Sequence, residues 1–227
     1  MEKIQHQGTA LKYITILPDD FTPQKAFPLI VLLHGYGSNM HDLAGLAQSL
    51  NSRGYIYVCP NAPILVPIGP AINGFAWTPL PGYRTSDDIR SAEEKLKAFI
   101  AEVMREHDAP PGQILLGGFS QGAVMTYQVG LPQPDLIAGL IALSGRIENT
   151  EKLEELLPKE RTQPIFIAHG KSDAIITVDQ ARQSKRFLEN HGYQPLYHEY
   201  QMAHEITGGV LKDLVPWIHQ VLPPICF

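Results

Sequence analysis

A serine at position 120 lies between two glycines in the stretch GGFSQGA, which spans residues 117–123. The apolar run ILL precedes this stretch and the helical pattern AVMTYQV overlaps its end, so Ser120 falls between a predicted strand and a predicted helix. A serine in such a sharp turn has strained dihedrals, and side chains two residues before and after it would collide. The pattern therefore predicts that Gly118 and Gly122 make room for a nucleophile elbow, from which Ser120 could attack an acyl carbonyl.

A base and an acid that orients it follow further along the chain. Asp173 comes after the predicted strand PIFIA, and His204 comes after the predicted strand LYHEY. The chain order Ser, Asp, His is the order expected for α/β-hydrolases, and loops after parallel strands meet at one edge of a sheet. The three residues together predict a Ser120–His204–Asp173 triad.

Each of these residues also has a structural interpretation. The glycines around the serine fit an ordinary strand-turn-helix loop. Asp173 could be a turn or cap aspartate, with Asp179 capping the following helix, and His204 could cap the last helix or lie exposed. We interpret His34 and His169, which lie close to strand ends, as residues that order loops.

Acyl transfer also requires two N–H groups that bind the developing oxyanion. The residue after the nucleophile, Gln121, supplies one through its backbone. The glycine-flanked loop LLHGYG, residues 32–37, follows an early strand and predicts the backbone of Tyr36 as the second donor. The alternative is that these glycines serve only a tight turn between strand and helix.

Seven short apolar or β-rich runs predict the strands that position these loops, at residues 11–17, 29–33, 55–59, 113–116, 137–143, 164–168 and 196–200. Segments with a 3.6-residue period predict helices at about residues 40–52, 86–107, 121–130, 177–190 and 207–222. Ser86 is the expected cap of the second helix, and Pro216 should kink or restart the last one. Strands that alternate with helices indicate a mostly parallel sheet. We expect an α/β-hydrolase fold with a central sheet of about seven strands and helices on both faces.

The segment of about residues 60–86 is rich in proline and glycine and fits neither a strand nor a helix. We expect a packed surface loop whose Phe75, Trp77 and Leu80 could form an apolar wall for an acyl chain. The alternative is that these side chains only pack the loop against the body of the protein. Met202, in the QMAHE segment, is a further candidate for the substrate pocket. Because only about twenty residues connect the strands near 143 and 164, we expect no cap domain and an open site.

The length and composition limit the other classes of function. A chain of 227 residues with 44% hydrophobic residues predicts a single domain over residues 1–227. The net charge of −5, without a basic run, argues against nucleic acid, and the apolar runs are too short for stable membrane insertion. We expect a cytoplasmic protein. Cys59 and Cys226 belong to no metal-binding pattern, so free thiols are expected, with one long-range disulfide as the alternative.

The motifs HGYG, GFSQGA, HGKSD and QMAHE, with the closing VLPPI, resemble the small α/β-hydrolases of the carboxylesterase and phospholipase family. This family includes acyl-protein thioesterases and lysophospholipases. The resemblance implies a capless fold, no metal or other cofactor, activity on acyl esters or thioesters, and the option of a homodimer. It also implies the same triad and oxyanion residues. The sequence departs from the thioesterase pattern at Tyr36, at Gly37–Ser38, at Asp173–Ala174, and at LSGRIEN, which places Arg146 near the site.

We therefore expect a serine hydrolase that cleaves small-molecule carboxylic esters or thioesters of short to medium acyl chains through an acyl-enzyme. Two alternatives use the same fold. One is a serine peptidase, although the sequence has no acidic cluster reserved for a peptide amine. The other is a receptor without catalysis that binds a small apolar ligand.

Overall fold

Strands and helices alternate along residues 1–225, the part of the chain that the structure, a computed structural model, describes. The strands are β1 Glu2–Gln7, β2 Lys12–Leu17, β3 Leu29–Leu33, β4 Ile56–Pro60, β5 Ile64–Gly69, β6 Ile72–Ala76, β7 Ile114–Phe119, β8 Gly139–Leu143, β9 Ile165–Gly170 and β10 Leu196–Tyr200. The helices are α1 Ala47–Leu50, α2 Ser86–Glu106, α3 Gln121–Gly130, α4 Thr150–Leu156, α5 Val178–Asn190 and α6 Gly208–Val221.

Eight of these strands form one sheet in the order β1-β2-β4-β3-β7-β8-β9-β10. All neighbours from β4 to β10 are parallel, whereas β1 and β2 form an antiparallel edge. The prediction of an α/β-hydrolase fold with a mostly parallel sheet is confirmed. The sheet has one strand more than the predicted seven because the polar segment EKIQHQ pairs with β2 as an edge strand, and it has no apolar run that would reveal it.

Both faces of the sheet are covered. Leu29 and Val31 of β3 belong to one buried cluster, with apolar residues of α2, α3, α4 and α5. Ile30 and Leu32 point the opposite way and belong to a second cluster, with residues of α1 and α6. Alternate residues of a strand point to opposite faces, so a run of five apolar residues is what a strand buried on both sides requires.

Several helix boundaries differ slightly from the predictions. The cap of α2 is Thr85 instead of Ser86, because Thr85 and Asp88 form a reciprocal capping box. The predicted first helix is a 3₁₀ turn at Leu43–Leu46 followed by α1. The helix α6 continues through Pro216, so it does not restart there. Residues 144–164, which connect β8 to β9, contain the single short helix α4 and no cap domain.

The segment predicted as an irregular loop contains a hairpin. Strands β5 and β6 pair in an antiparallel register from Ile64 opposite Ala76 to Gly69 opposite Ile72. The hairpin lies outside the main sheet and contacts the loop after β3 through an isolated bridge between Ser38 and Phe75. The segment is therefore packed, as predicted, but it has regular structure that its proline and glycine content concealed.

Two further observations concern the cysteines and membrane insertion. Cys59 in β4 is buried and free, while Cys226 lies outside the described residues. Among the helices of residues 1–225, none is long and apolar enough to cross a bilayer.

The first turn of α3 lies directly against the end of β3. A Cβ atom added to Gly122 would come within 2.0 Å of the carbonyl oxygen of Leu33, and one added to Gly118 would come within 2.3 Å of the carbonyl carbon of Gly122. Contacts this short with backbone atoms cannot be relieved by a side-chain rotation. Both glycines are therefore required by the close packing of β7, α3 and β3.

Replacing Gly122 by alanine should disrupt this packing. We expect Gly122→Ala to lower the free energy of unfolding by about 3 kcal/mol or more, because backbone must move to admit the methyl group. Gly45→Ala is the matched control, since a Cβ there meets no atom within 4 Å, and its effect should stay within about 1 kcal/mol. Urea denaturation followed by circular dichroism measures both, and equal stabilities would contradict the close approach.

Candidate active site

Ser120 occupies the sharp turn between β7 and α3. Its φ of 56° and ψ of −118° are rare for a residue with a side chain, and such a conformation costs of order 1–3 kcal/mol. The turn is held by a hydrogen bond of 2.9 Å from the Ser120 N–H to the carbonyl oxygen of Leu143 in β8. The strain positions the side chain of Ser120 in the wall of a surface cavity, as the elbow prediction requires.

Asp173 lies in the loop between β9 and α5, and its side chain is fully buried. One carboxylate oxygen, Oδ1, accepts hydrogen bonds of 2.9 Å from the N–H groups of Ile175 and Ile176. The other, Oδ2, lies 2.7 Å from Nδ1 of His204. The two backbone bonds fix the carboxylate so that it can accept a third bond from the imidazole.

His204 follows β10 and remains partly exposed. Because the carboxylate of Asp173 accepts the bond, Nδ1 of His204 carries the proton and Nε2 keeps its lone pair. The imidazole packs against the ring of Phe119, with centroids 4.8 Å apart, and Phe119 directly precedes Ser120. The structure thus brings the loops of Ser120, Asp173 and His204 together at the carboxyl edge of the sheet.

A second histidine, His169, lies buried beside the same carboxylate. Its Nε2 donates a 2.7 Å hydrogen bond to the carbonyl oxygen of Ile176 and lies 3.4 Å from Oδ2 of Asp173. Burial lowers the pKa of His169 below its usual value, so the ring is neutral at pH 7. His169 therefore orders the loop that carries Asp173, in agreement with its predicted role.

His34 orders the loop on the opposite side of Ser120. Its Nδ1 donates a 2.7 Å bond to the carbonyl oxygen of Gly35, and its Nε2 accepts a 3.0 Å bond from the N–H of Ala62. Both ring nitrogens are thus satisfied in the neutral form, and burial lowers the pKa of His34. The following residue, Gly35, passes close to Ser120, since a Cβ on Gly35 would lie 3.2 Å from Cβ of Ser120.

The hairpin β5–β6 supports the loop that contains Tyr36. The N–H of Gly37 donates a 2.8 Å bond to the carbonyl oxygen of Phe75, and the N–H of Phe75 donates a 2.7 Å bond to that of Ser38. Gly37 has a φ of +77°, a conformation that favours glycine. In residues 1–225, the backbone N–H groups of Tyr36 and Gln121 donate to no protein acceptor. Both residues line the cavity at Ser120, so both N–H groups are available to an oxyanion.

The side chain of Gln121 connects the start of α3 to the segment after the hairpin. Its Oε1 accepts a 2.8 Å bond from the N–H of Trp77, and its Nε2 donates to the carbonyl and hydroxyl oxygens of Thr78 at 2.8 and 3.1 Å. Sequence reasoning assigned only a backbone role to Gln121. The partners of its amide side chain could not be predicted, because the hairpin that positions them was not predicted either.

The cavity beside Ser120 has a volume of about 260 Å³, just below the range of about 300–1,000 Å³ typical of ligand sites. Its apolar wall includes Leu80, Val124, Met125 and Ile176. Leu80 was predicted. The others were not, because apolar residues on a helix face have the same pattern whether they face a cavity or the core.

Three predicted pocket residues do not line this cavity and are corrected. Trp77 is fully buried, and its indole N–H donates a 3.0 Å bond to the carbonyl oxygen of His34. Phe75 packs partly buried against the core, and Met202 belongs to the buried cluster on the α6 side of the sheet. For Phe75 and Trp77 these contacts agree with the alternative that they pack the segment onto the body.

Residues 1–225 contain no group of three or more His, Cys, Asp or Glu side chains that could hold a metal ion.

The fold and the turn at Ser120 define the class of the protein as an α/β-hydrolase. The structure matches the crystal structure of esterase PE8 with a TM-score of 0.78 and 28% sequence identity, over 92% of this chain and 97% of that chain. The central sheet, the elbow and the positions of the loops are the features of this fold.

The sequence comparisons identify the family. The phospholipase/carboxylesterase family profile matches residues 22–222. Acyl-protein thioesterase 1 of Debaryomyces hansenii is 29% identical over 223 residues, which cover 88% of this chain and 94% of that relative. Acyl-protein thioesterase 1 of Candida albicans is 30% identical over 214 residues, 85% of this chain and 91% of that relative. The chain belongs to the phospholipase/carboxylesterase family and is an ester hydrolase of the serine hydrolase type.

The contact between the hairpin and the Tyr36 loop should be needed for activity. A Cβ added to Gly74 would come within 1.9 Å of the carbonyl oxygen of Gly37. Gly74→Ala should therefore displace the loop and lower kcat for ester hydrolysis about tenfold or more, because a lost oxyanion donor costs about 10²–10³. Gly69→Ala on the same hairpin is the control, since the nearest atom to a Cβ there lies 3.9 Å away. Equal kcat values for the two variants would show that the hairpin does not support the loop.

Proposed function

We propose that the protein hydrolyses carboxylic esters, or thioesters, of short to medium acyl chains through a Ser120–His204–Asp173 triad and an acyl-enzyme. The observation that carries the proposal is the 2.7 Å bond from Nδ1 of His204 to the fixed carboxylate of Asp173. This bond leaves Nε2 of the ring as a base, beside the strained turn that presents Ser120. The relatives named acyl-protein thioesterase 1 and esterase PE8 support the substrate class.

In the first half of the reaction, His204 accepts the proton of the Ser120 hydroxyl as its oxygen attacks the acyl carbonyl. The carbonyl oxygen becomes an oxyanion, which the N–H groups of Tyr36 and Gln121 bind. The N-terminus of α3 adds a partial positive charge on the same side. His204 then donates the proton to the departing alcohol or thiol.

In the second half, water attacks the acyl-enzyme while His204 accepts its proton. The tetrahedral intermediate is bound by the same two N–H groups, and its collapse returns the proton to Ser120. Asp173 stays ionised throughout and stabilises the imidazolium that forms in each half. The small cavity supports short to medium acyl groups, because a long chain would exceed its volume of about 260 Å³.

The cytoplasmic location and the homodimer stay predictions from the sequence. The proposed substrate is a small molecule, and the proposed chemistry requires no cofactor.

The proposal is tested by steady-state hydrolysis of p-nitrophenyl esters from acetate to palmitate. We expect turnover with a maximum at short to medium chain length. The variant Ser120→Ala should lose a factor on the order of 10⁴–10⁶ in kcat, because the nucleophile is absent. Activity within about tenfold of the wild type in a correctly folded Ser120→Ala protein would refute the triad. Absence of turnover by the folded wild type would favour the peptidase or receptor interpretation.

A second prediction concerns the tautomer of His204. In Asp173→Asn, the amide nitrogen can face the imidazole and donate to Nδ1, which moves the ring proton to Nε2. The ring can then no longer accept the serine proton, and kcat should fall on the order of 10⁴-fold. Asp179→Asn is the control, because Asp179 is exposed and pairs only with Arg182 among the described residues. A fall of similar size in both variants would exclude a specific role of Asp173.

A further inference from the structure

The cavity beside Ser120 contains two arginines and one glutamate in addition to its apolar wall. Oε1 of Glu148 lies 2.9 Å from Nε and 2.5 Å from Nη2 of Arg146, and Oε2 lies 2.7 Å from Nη1 of Arg84. All three side chains are largely buried, with exposed fractions of 20% for Arg84, 23% for Arg146 and 11% for Glu148. Two guanidinium groups and one carboxylate leave this part of the cavity with a net charge of +1.

Most of the hydrogen-bonding capacity of the two arginines remains unused by the protein. Each guanidinium has five N–H donors in a planar fork, and within residues 1–225 the contacts of both groups end on Glu148. Guanidinium is weakly hydrated, and its fork matches the geometry of a carboxylate. An uncharged alkyl chain gains nothing from these donors, whereas an anionic group would compensate the positive charge.

Glu148, which pairs with both arginines, contacts α3 about two turns beyond the nucleophile. Gln121, Val124, Met125 and Gln128 line the cavity along one face of α3. The side-chain amide of Gln128 donates a hydrogen bond to the backbone carbonyl oxygen of Glu148. Because a helix rises about 1.5 Å per residue, Gln128 lies about 10 Å along the axis from Gln121.

The position of His204 assigns this cavity to the acyl part of the substrate and not to the leaving group. The leaving oxygen must lie within hydrogen-bond reach of His204, which donates its proton. His204 does not line the cavity. The leaving alcohol therefore lies on the side of His204, and the acyl chain extends along α3 toward the arginines.

We propose that Arg84 and Arg146 form a carboxylate subsite, and that the preferred substrates are monoesters of dicarboxylic acids whose second carboxylate is free. The inference rests on the proposed function, since it names the acyl group that the same site cleaves. Three backbone-like bonds span about 3.3–3.6 Å, so about 10 Å corresponds to about eight or nine bonds. An eight-carbon diacid spans about eight bonds from its first carbon to its terminal carboxylate oxygen.

The test compares two esters of equal length, p-nitrophenyl hydrogen suberate and p-nitrophenyl octanoate. They differ only in whether the eighth carbon is a carboxylate or a methyl group. The wild type should show a kcat/KM about tenfold or more higher for the suberate ester, as expected for charge-assisted hydrogen bonds in a partly buried site. An equal or higher kcat/KM for octanoate would overturn the subsite, while the proposed function would stand.

The variants Arg84→Gln and Arg146→Gln test whether the arginines bind the substrate carboxylate or only hold their loops in place. Each variant should lower kcat/KM for the suberate ester about tenfold, mainly by raising KM. For the octanoate ester, kcat/KM should change less than about threefold. Glu148→Gln should keep or raise the preference, because it removes the carboxylate that competes for the arginines. Arg90→Gln is the control, since it removes the same charge from an exposed position on α2 that pairs with Asp87.

Two further outcomes are decisive. Equal losses for both esters in the Arg84, Arg146 and Glu148 variants would show that these residues only hold their loops, and the inference would be overturned. If the folded wild type hydrolyses neither ester, the proposed function fails, and calorimetric binding of suberate and octanoate then decides the subsite. Tighter binding of suberate by the wild type than by Arg146→Gln would support it, and equal binding would overturn it.

Discussion

The active site depends on the close approach of α3 to the end of β3, where Gly122 lies against the carbonyl oxygen of Leu33. This contact sets the distance between the turn at Ser120 and the loop that follows β3. Gly35 passes beside Ser120 for the same reason, and Tyr36 and Gln121 line the same cavity. A helix displaced by the volume of one methyl group would move Ser120 away from the loop of Tyr36, and no rearrangement of side chains could restore the distance.

The hairpin β5–β6 is the second support of this arrangement, and the sequence did not predict it. Its strands contain Pro67, Gly69 and Gly74, residue types that are depleted in strands. The pairing is stabilised instead by tertiary contacts, since Phe75 exchanges hydrogen bonds with the loop at residues 37–38 and Trp77 bonds to His34 and Gln121. Contacts between segments so far apart leave no local pattern.

The buried strands β3, β4, β7, β8 and β9 were predicted because burial on both faces requires a continuous apolar run.

The candidate site was predictable to different degrees for a similar reason. Ser120, Asp173 and His204 each follow a predicted strand, and the topology alone brings such positions to one edge of the sheet. The lining of the cavity, in contrast, depends on the direction in which each side chain points, and topology does not determine that direction. Trp77 turns inward because the carbonyl oxygen of His34 offers its indole N–H a buried acceptor, and Val124 faces the cavity from a helix whose other faces are buried. Arg146 was noticed as a departure from the family pattern, but its partners Arg84 and Glu148 come from separate segments.

The buried carboxylate of Asp173 shows why the loops around the site are so tightly bonded. An ionised group without exposure is tolerated only when its oxygens are hydrogen-bonded. Asp173 meets this condition with two backbone N–H groups and the imidazole of His204. The neutral His169 lies beside the same carboxylate, 3.4 Å from Oδ2, while its Nε2–H donates to the carbonyl oxygen of Ile176. None of these donors removes the charge, so the carboxylate can still stabilise a positive imidazole when His204 accepts a proton. In the proposed mechanism, a neutral His169 leaves this charge to His204, whereas a charged His169 would compensate it.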